Sequence, residues 1–255
     1  MVYDFDLGPV PASNVDYAKS LGFDGLVTRC SRASDIPKLA DYAAYVATVD
    51  DFEVLAYVNY DFNHPESPQV WQDALPILAG LDAPLWVIVK NAPSMADVDS
   101  LLLDMARASE LFNVPMVLYP HFDTDIEDAD QAAMRMARVG HSNISLSLHT
   151  CHEIRAGNQY SLKSVATQHS HHSSIVTIAG ADANAYAGPP QPGPHFWDDA
   201  IKPLDSGKFN LLPFLRGLNG VGYSGIVVLQ TYGLGTNPGH LQRSLKGYEK
   251  YQAGL

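Results

Sequence analysis

Short apolar runs alternate with amphipathic segments from one end of this chain to the other, and this alternation restricts its possible folds more than any other feature. Most of the runs are continuously apolar, which is typical of parallel strands that are covered on both faces. Helical patterns separate them. One such pattern begins with Ser34 as a capping residue and has Pro37 in its first turn. The eight predicted strands are Val2–Leu7, Gly25–Arg29, Glu53–Tyr60, Leu85–Lys90, Val114–His121, Ile144–His149, Ile175–Gly180 and Ile226–Thr231.

Strands and helices that alternate at this spacing predict right-handed βαβ units. Eight units in 255 residues match the usual size of a (β/α)8 barrel, in which chemistry takes place at the carboxyl ends of the strands. A doubly wound open sheet is the alternative, but no glycine-rich phosphate-binding fingerprint follows the first strand. Two smaller domains would need a linker, and no linker-like change of composition precedes residue 180. We therefore predict an α/β protein with a single TIM-barrel domain over residues 1–255.

Composition and charge narrow the class of protein. Apolar residues make up 46% of the chain and charged residues 17%, as in ordinary folded soluble proteins. The formal net charge of −12 argues against binding to nucleic acid or to an anionic membrane surface. The two cysteines, Cys30 and Cys151, are too few for a disulfide framework. No apolar run is long enough to span a membrane and no signal peptide is visible, so we expect a cytoplasmic protein.

One connection differs from the others in length and composition. The segment from Ala181 to Lys208, after strand seven, is rich in proline, glycine and aromatic residues. Long loops in compact domains are usually functional or disordered, and this one follows a strand at the end where barrel active sites form. We expect residues 181–208 to form a lid or a substrate wall over the active-site face.

Polar side chains stand where the apolar runs end. In a barrel, the last inward-pointing residue of each strand and the residue or two after it form the site. Polar groups at such positions are costly to bury without partners, and convergence on one pocket explains them together. The set comprises Arg29, Asn59, Lys90, Tyr119 or His121, His149 with His152, Thr177 with Asp182, and Gln230 with Tyr232.

Histidines supply the sharpest local signal. His149 and His152 are three residues apart at the end of strand six, a spacing that can aim both rings at one centre. They could act as a general acid/base pair, or as a metal ligand beside a substrate ligand. The alternative is a structural pair whose rings hydrogen-bond to the backbone. His121, at the matching end of strand five, has the same interpretations, whereas the His169–His172 cluster precedes strand seven and is expected to be a solvated turn.

Three charged residues each have two interpretations. Lys90 could form a Schiff base or hold an anionic group, or it could extend to solvent from the end of its strand. Arg29 could clamp a carboxylate or a phosphate, or it could pair with a neighbouring aspartate such as Asp6. Asp182 could be a general base or a cap.

The second half of the chain resembles a known group of barrels. The segments that carry the resemblance are Tyr119–His121, His149–His152, Thr177–Asp182, Ile201–Phe209 and Gly222–Gln230. They resemble the xylose-isomerase-like TIM-barrel superfamily, and within it a sugar-phosphate isomerase/epimerase-like branch. The resemblance is best over residues 114–252. Over residues 1–113 it is limited to the alternation of strands and helices. It implies the barrel fold and a sugar-like substrate.

The resemblance also implies a metal-binding set that this chain does not keep. Members of the superfamily commonly hold a divalent metal with Glu, Asp, His and Glu on strands five to eight, and a histidine three residues after the Asp contacts substrate. The metal positions correspond to Tyr119, His149, Thr177 and Gln230, and only the substrate histidine is retained, as His152. Hard cations prefer carboxylates.

Two outcomes for the cofactor follow from this departure. Either the metal is lost, or a divalent metal that accepts imidazole ligands, such as zinc, is held by His121, His149 and Gln230.

From these residues we expect a carbohydrate-active enzyme that is isomerase- or epimerase-like, or a sugar lyase. It would abstract a proton next to a carbonyl, with His149, His152, Lys90 and Asp182 as catalytic residues. The alternatives are a non-catalytic sugar-binding barrel and a hydrolase on the same scaffold. The expected partner is a small sugar or sugar derivative, and a homo-oligomer is compatible with the chain. The expected substrate-binding residues are Arg29, Asn59, His121, Arg155, Trp197, Gln230 and Tyr232.

Overall fold

A computed structural model of the protein describes residues 1–5, 7–185, 196–235 and 239–255. Its strands are all parallel and form a closed barrel in chain order, with the last strand paired to the first. The predicted (β/α)8 barrel is therefore confirmed. The strands are β1 Val2–Tyr3, β2 Gly25–Arg29, β3 Glu53–Asp61, β4 Leu85–Lys90, β5 Met116–Leu118, β6 Ile144–His149, β7 Ser173–Ile178 and β8 Ile226–Leu229.

Helices connect successive strands and cover the outer face of the sheet, so that strands such as β4 are buried almost end to end. Ser94 caps the helix after β4 by accepting a hydrogen bond from the N–H of Asp97. In the described part of the chain, no helix combines the length and apolar character that a membrane span requires. The helices are α1 Pro11–Ser20, α2 Ile36–Val46, α3 Ser67–Gly80, α4 Met95–Leu111, α5 Ala129–Val139, α6 Thr150–Arg155, α7 Leu162–His169, α8 Leu212–Gly220 and α9 Gly239–Gln252, with 3-10 turns at Ala33–Asp35 and Ser170–His172.

Strand five is shorter than predicted. The apolar run Val114–His121 contributes only Met116–Leu118 to the sheet. Pro115 and Pro120 flank this short strand, and proline has no backbone N–H to donate to a ladder. As a result, His121 lies on a loop beyond the carboxyl end of the barrel instead of on a strand.

The connection after β7 is fastened to the end of the barrel. Gly180 and Lys202 form an antiparallel bridge, with backbone hydrogen bonds of 3.0 and 2.8 Å. A Cβ on Gly180 would lie 2.3 Å from the carbonyl oxygen of Pro203, so this close approach requires glycine. Part of the segment that resembles the superfamily therefore has a structural role. Residues 186–195 of the predicted lid lie outside the described residues.

Aromatic rings fill the barrel interior near the carboxyl ends of the strands. Trp86 stacks on Tyr119 with ring centroids 4.6 Å apart, and Tyr119 stacks on His149 at 3.9 Å. The hydroxyl groups of Tyr119 and Tyr3 are 3.0 Å apart and hydrogen-bonded. Stacked pairs contribute about 0.5–1.5 kcal/mol beyond the burial of their area. We call Trp86, Tyr119 and His149 the aromatic stack.

Ser147 ties the aromatic stack to the strands. Its buried hydroxyl accepts a hydrogen bond from Trp86 Nε1 at 2.8 Å and donates one to the carbonyl oxygen of Leu118 at 3.0 Å. The same hydroxyl lies 2.7 Å from His149 Nε2. One side chain on β6 therefore orients both ends of the stack.

We expect Ser147→Ala to lower the free energy of unfolding by about 1–3 kcal/mol, because the Trp86 indole N–H would be buried without an acceptor. Urea denaturation followed by circular dichroism measures this loss. Ser145→Ala on the same strand is the matched control, since that half-buried hydroxyl donates only to the carbonyl of Met116 at 3.2 Å. The control should cost about 0.5 kcal/mol or less, and equal losses would contradict the role of Ser147.

Candidate active site

A pocket of about 380 Å³ opens at the carboxyl end of the barrel, beside the aromatic stack. Asn59 enters it from β3, Lys90 from β4 and His121 from the loop after β5, while Trp197 forms a wall. The structure thus brings together four residues that the sequence predicted for the site. The described lining residues are Asn59, Ile88, Lys90, Asn91, His121, Phe122, Asp123, Thr124, Phe196 and Trp197.

The peptide groups of Phe122 contact two histidines. The carbonyl oxygen of Phe122 accepts a hydrogen bond from His121 Nδ1 at 2.8 Å. The backbone N–H of Phe122 donates a hydrogen bond to His152 Nδ1 at 3.4 Å. A neutral imidazole carries one ring proton. These contacts therefore leave His121 Nε2 as an acceptor and His152 Nε2 as a donor. The two ring centroids are 4.1 Å apart, so an acceptor nitrogen and a donor nitrogen lie on neighbouring rings.

Burial keeps these rings neutral. It lowers the pKa of His121 to about 4, even though the hydrogen bond to the Phe122 carbonyl acts in the opposite direction. Burial also lowers the pKa values of His149 and His152 well below the ordinary value, and the charge of His121 adds to both shifts. At neutral pH His121 is an uncharged acceptor. A negative oxygen formed beside the ring would raise its pKa toward neutrality.

His149 belongs to the floor of the site. Its ring lies nearly parallel to that of Tyr119, at an interplanar angle of 9°, and its Nε2 contacts the Ser147 hydroxyl. His149 does not line the pocket among the described residues. Of the predicted histidines, His121 is the one that lines the pocket among the described residues.

The tentative metal ligands do not form a fitting site. The Oε1 atom of Gln230 accepts the N–H groups of Thr231 and Tyr232 at 3.0 and 3.1 Å, so this oxygen is turned toward its own backbone. Tyr119 stacks on His149 where superfamily members would place carboxylates. Within the described ranges, no group of three His, Cys, Asp or Glu side chains is arranged to hold a metal ion. This donor set does not suit a divalent cation.

Two groups at the pocket are available to bind a ligand. The Oδ1 atom of Asn59 is buried and has no hydrogen-bond partner in the described structure. Such an acceptor is satisfied when a ligand hydroxyl or a water donates to it. Lys90 Nζ lies 3.4 Å from Asp61 Oδ2, and its positive charge contributes to the low pKa of His121. Lys90 thus brings positive charge to the same pocket as the neutral imidazole.

Arg155 supports the wall of the pocket. It is buried on α6, and its guanidinium group contacts the carbonyl oxygen of Phe196 and the carboxylate of Asp199. The guanidinium carbon lies 4.4 Å from the Phe196 ring centroid and 5.4 Å from that of Trp197. Trp197 packs edge-on against His152 at 5.1 Å. Arg155 was predicted to contact substrate, but it lies behind this wall.

The remaining predicted residues lie apart from His121. Asp182 pairs with Lys202, with 3.2 Å between the charged atoms, and does not line the pocket among the described residues. Tyr232 is 51% exposed and packs edge-on against Phe5 at 5.5 Å.

Arg29 lies at the end of β2, and its Nε atom is 3.9 Å from the Oδ2 atom of Asp35. The aspartate suggested by the sequence, Asp6, lies outside the described residues.

Sequence reasoning missed Phe122. Its contribution comes from the main chain, which any residue type supplies, so side-chain identity carried no signal. The available clue was its place directly after His121 at a predicted strand end.

Comparisons with known proteins identify the fold. No protein-family profile and no curated protein matches the chain. Among solved structures, a D-allulose 3-epimerase from Methylomonas sp. is similar with a TM-score of 0.74 and 12% identity, covering 98% of this chain and 97% of that one. A probable 3-DHS dehydratase, AsbF from Bacillus anthracis, gives 0.73 and 11% identity, covering 97% of each chain. The IolI protein with a bound zinc atom gives 0.71 and 17%, covering 98% of this chain and 96% of that one.

This protein therefore has the fold of the xylose-isomerase-like TIM barrels, as the resemblance implied. At these identities the likeness defines the fold, and the site has to be interpreted from its own residues.

At neutral pH, we expect His121 to carry its ring proton on Nδ1 and His152 on Nε2, because the Phe122 peptide orients both rings. Nitrogen-15 NMR of the labelled imidazoles distinguishes the two tautomers, and His121→Gln and His152→Gln assign the signals. His121 should stay neutral until the pH falls to about 4. The same tautomer on both rings, or titration of His121 near its ordinary value of about 6.5, would contradict this arrangement.

Proposed function

We propose that the protein is a sugar isomerase- or epimerase-like enzyme in which His121 is the general base and His152 a hydrogen-bond donor. The observation that carries this proposal is the pair of hydrogen bonds from the Phe122 backbone to His121 and His152, from which we infer opposite tautomers for the two rings. The similar folds named as an epimerase and a dehydratase are consistent with such chemistry, because both reaction types can begin with removal of a proton beside a carbonyl.

In the proposed reaction, His121 Nε2 takes a proton from the carbon next to the substrate carbonyl. The electrons of the broken C–H bond form a carbon–carbon double bond, and the carbonyl oxygen becomes negative. Lys90, which lines the same pocket, stabilises that oxygen electrostatically. The growing negative charge also raises the pKa of His121, which makes it a stronger base as the proton moves.

One base on one face suits isomerisation, because the same nitrogen can return the proton to the neighbouring carbon. Epimerisation requires a second group on the opposite face, and β-elimination requires an acid for the leaving hydroxyl. We assign His152 the role of the acid in β-elimination, because its Nε2 donor is buried beside His121 and has no partner in the described structure. A buried, unsatisfied donor costs about 1–3 kcal/mol, which a ligand oxygen would offset.

The pocket walls suit a sugar. Phe196 and Trp197 offer apolar ring surface, while the Oδ1 atom of Asn59 offers a free acceptor for a hydroxyl group. Sites of this kind combine a mostly apolar lining with a few placed polar groups.

Sugar binding without turnover is the second candidate. A pKa of about 4 makes His121 a weak base at neutral pH in the absence of ligand. Hydrolysis through Asp182 has less support, because its carboxylate pairs with Lys202 outside the pocket.

We expect the protein to incorporate deuterium from heavy water into the carbon next to the carbonyl of D-allulose, D-fructose or D-tagatose, as followed by NMR. His121→Gln should slow this exchange by about 10²–10⁴-fold, the usual contribution of a general base. His171→Gln, which changes an exposed histidine at the opposite end of β7, is the matched control and should leave the rate unchanged.

Calorimetric titration of the same sugars separates the two candidates. Binding without exchange would favour the binding barrel and contradict the enzyme. Exchange that survives His121→Gln unchanged would remove His121 from the mechanism.

A further inference from the structure

A second, smaller pocket of about 180 Å³ adjoins the candidate active site. Arg29, Arg32 and Lys90 line it, at or just beyond the ends of β2 and β4. Asn59 and Lys90 line both pockets. The two pockets therefore adjoin at Asn59 and Lys90.

Positive charge is concentrated in this small pocket, although the chain as a whole has a negative net charge. The sequence has 16 lysines and arginines against 28 acidic residues. Among the described lining residues, Asp61 is the only carboxylate that faces the three cations. Its Oδ1 atom already accepts the N–H of Asn63 at 2.9 Å and the amide of Asn91 at 2.8 Å. The lining is therefore positive on balance.

The arginines keep donors for a ligand. Arg29 Nε is 3.9 Å from the Oδ2 atom of Asp35, which is beyond hydrogen-bond distance, and the Arg29 side chain is 57% exposed. The same Asp35 oxygen accepts the N–H groups of Ser31 and Arg32 at 2.8 and 3.0 Å. Asp35 thus fixes the turn that carries Arg32 and leaves the guanidinium fork of Arg29 open.

We propose that the small pocket binds the anionic group of an acidic sugar, either a carboxylate or a phosphate, while the carbonyl end of that sugar lies at His121. Guanidinium groups match the geometry of both oxyanions. The buried Oδ1 atom of Asn59, at the junction of the pockets, accepts a hydroxyl between the two ends. This inference rests on the proposed function for the reacting end and narrows the substrate class to acidic sugars.

Three ligands with the same ring test the subsite: D-glucose, D-glucuronate and D-glucose 6-phosphate. NMR titration at low salt should show at least one anion binding about tenfold or more tighter than glucose, as expected for charge-assisted hydrogen bonds. High salt should reduce the difference, because the arginines are partly exposed. Comparison of the two anions shows whether the natural group is a carboxylate or a phosphate.

Arg29→Gln and Arg32→Gln should each lower the preference for the anion over glucose by about tenfold. Arg107→Gln, which removes an exposed arginine on α4, is the matched control for the loss of one positive charge and should keep the preference. Equal binding of all three ligands, no binding of either anion at millimolar concentration, or an unchanged preference in both variants would overturn the subsite.

The exchange assay distinguishes failure of this inference from failure of the proposed function. Exchange that depends on His121, without any anion preference, would refute the subsite alone. An arginine-dependent anion preference, with no exchange on the neutral keto-sugars and none on the acidic keto-sugars D-fructose 6-phosphate and D-fructuronate, would support the subsite and refute the enzyme.

Discussion

The aromatic stack is the constraint on which the rest of this structure depends. Tyr119 lies face to face with His149 at 3.9 Å, and the Ser147 hydroxyl binds Trp86 beside them. These rings occupy the barrel interior, and two of them, Tyr119 and His149, stand at positions that the sequence resemblance matched to metal ligands. With that space filled by packed rings, the pocket is lined by residues on the loops and strand ends around the stack, among them His121 and Lys90.

Burial of the histidines at this end of the barrel has a chemical consequence. Burial of the histidines disfavours their charged forms, so the proposed proton transfer would start at neutral pH from neutral rings whose tautomers are set by hydrogen bonds. Phe122 sets them through its backbone, and Arg155 holds the wall that packs on His152. As a result, a hydrogen-bond donor on His152 and an acceptor on His121 lie side by side on two uncharged rings.

Several elements were predictable because they depend on local pattern. Continuous apolar runs indicated parallel strands, and residues such as Asn59 and Lys90 stood where those runs end, which placed them at the site. The shortened strand five was less obvious, although Pro115 and Pro120 are visible in the sequence. His149 was predicted to be catalytic because it stands at the end of a strand. That position does not reveal that its ring is packed against Tyr119.

The sequence by itself determined the barrel fold and which end of the barrel carries polar groups. Both follow from the apolar runs, from their order along the chain and from the polar residues at which they end. Only the tertiary structure decided which histidine meets the pocket, which nitrogen carries the proton and which arginines keep free donors. Those properties depend on partners distant in sequence, such as Phe122 for His152, and on burial. Partners and burial are settled only when the strands close into the barrel.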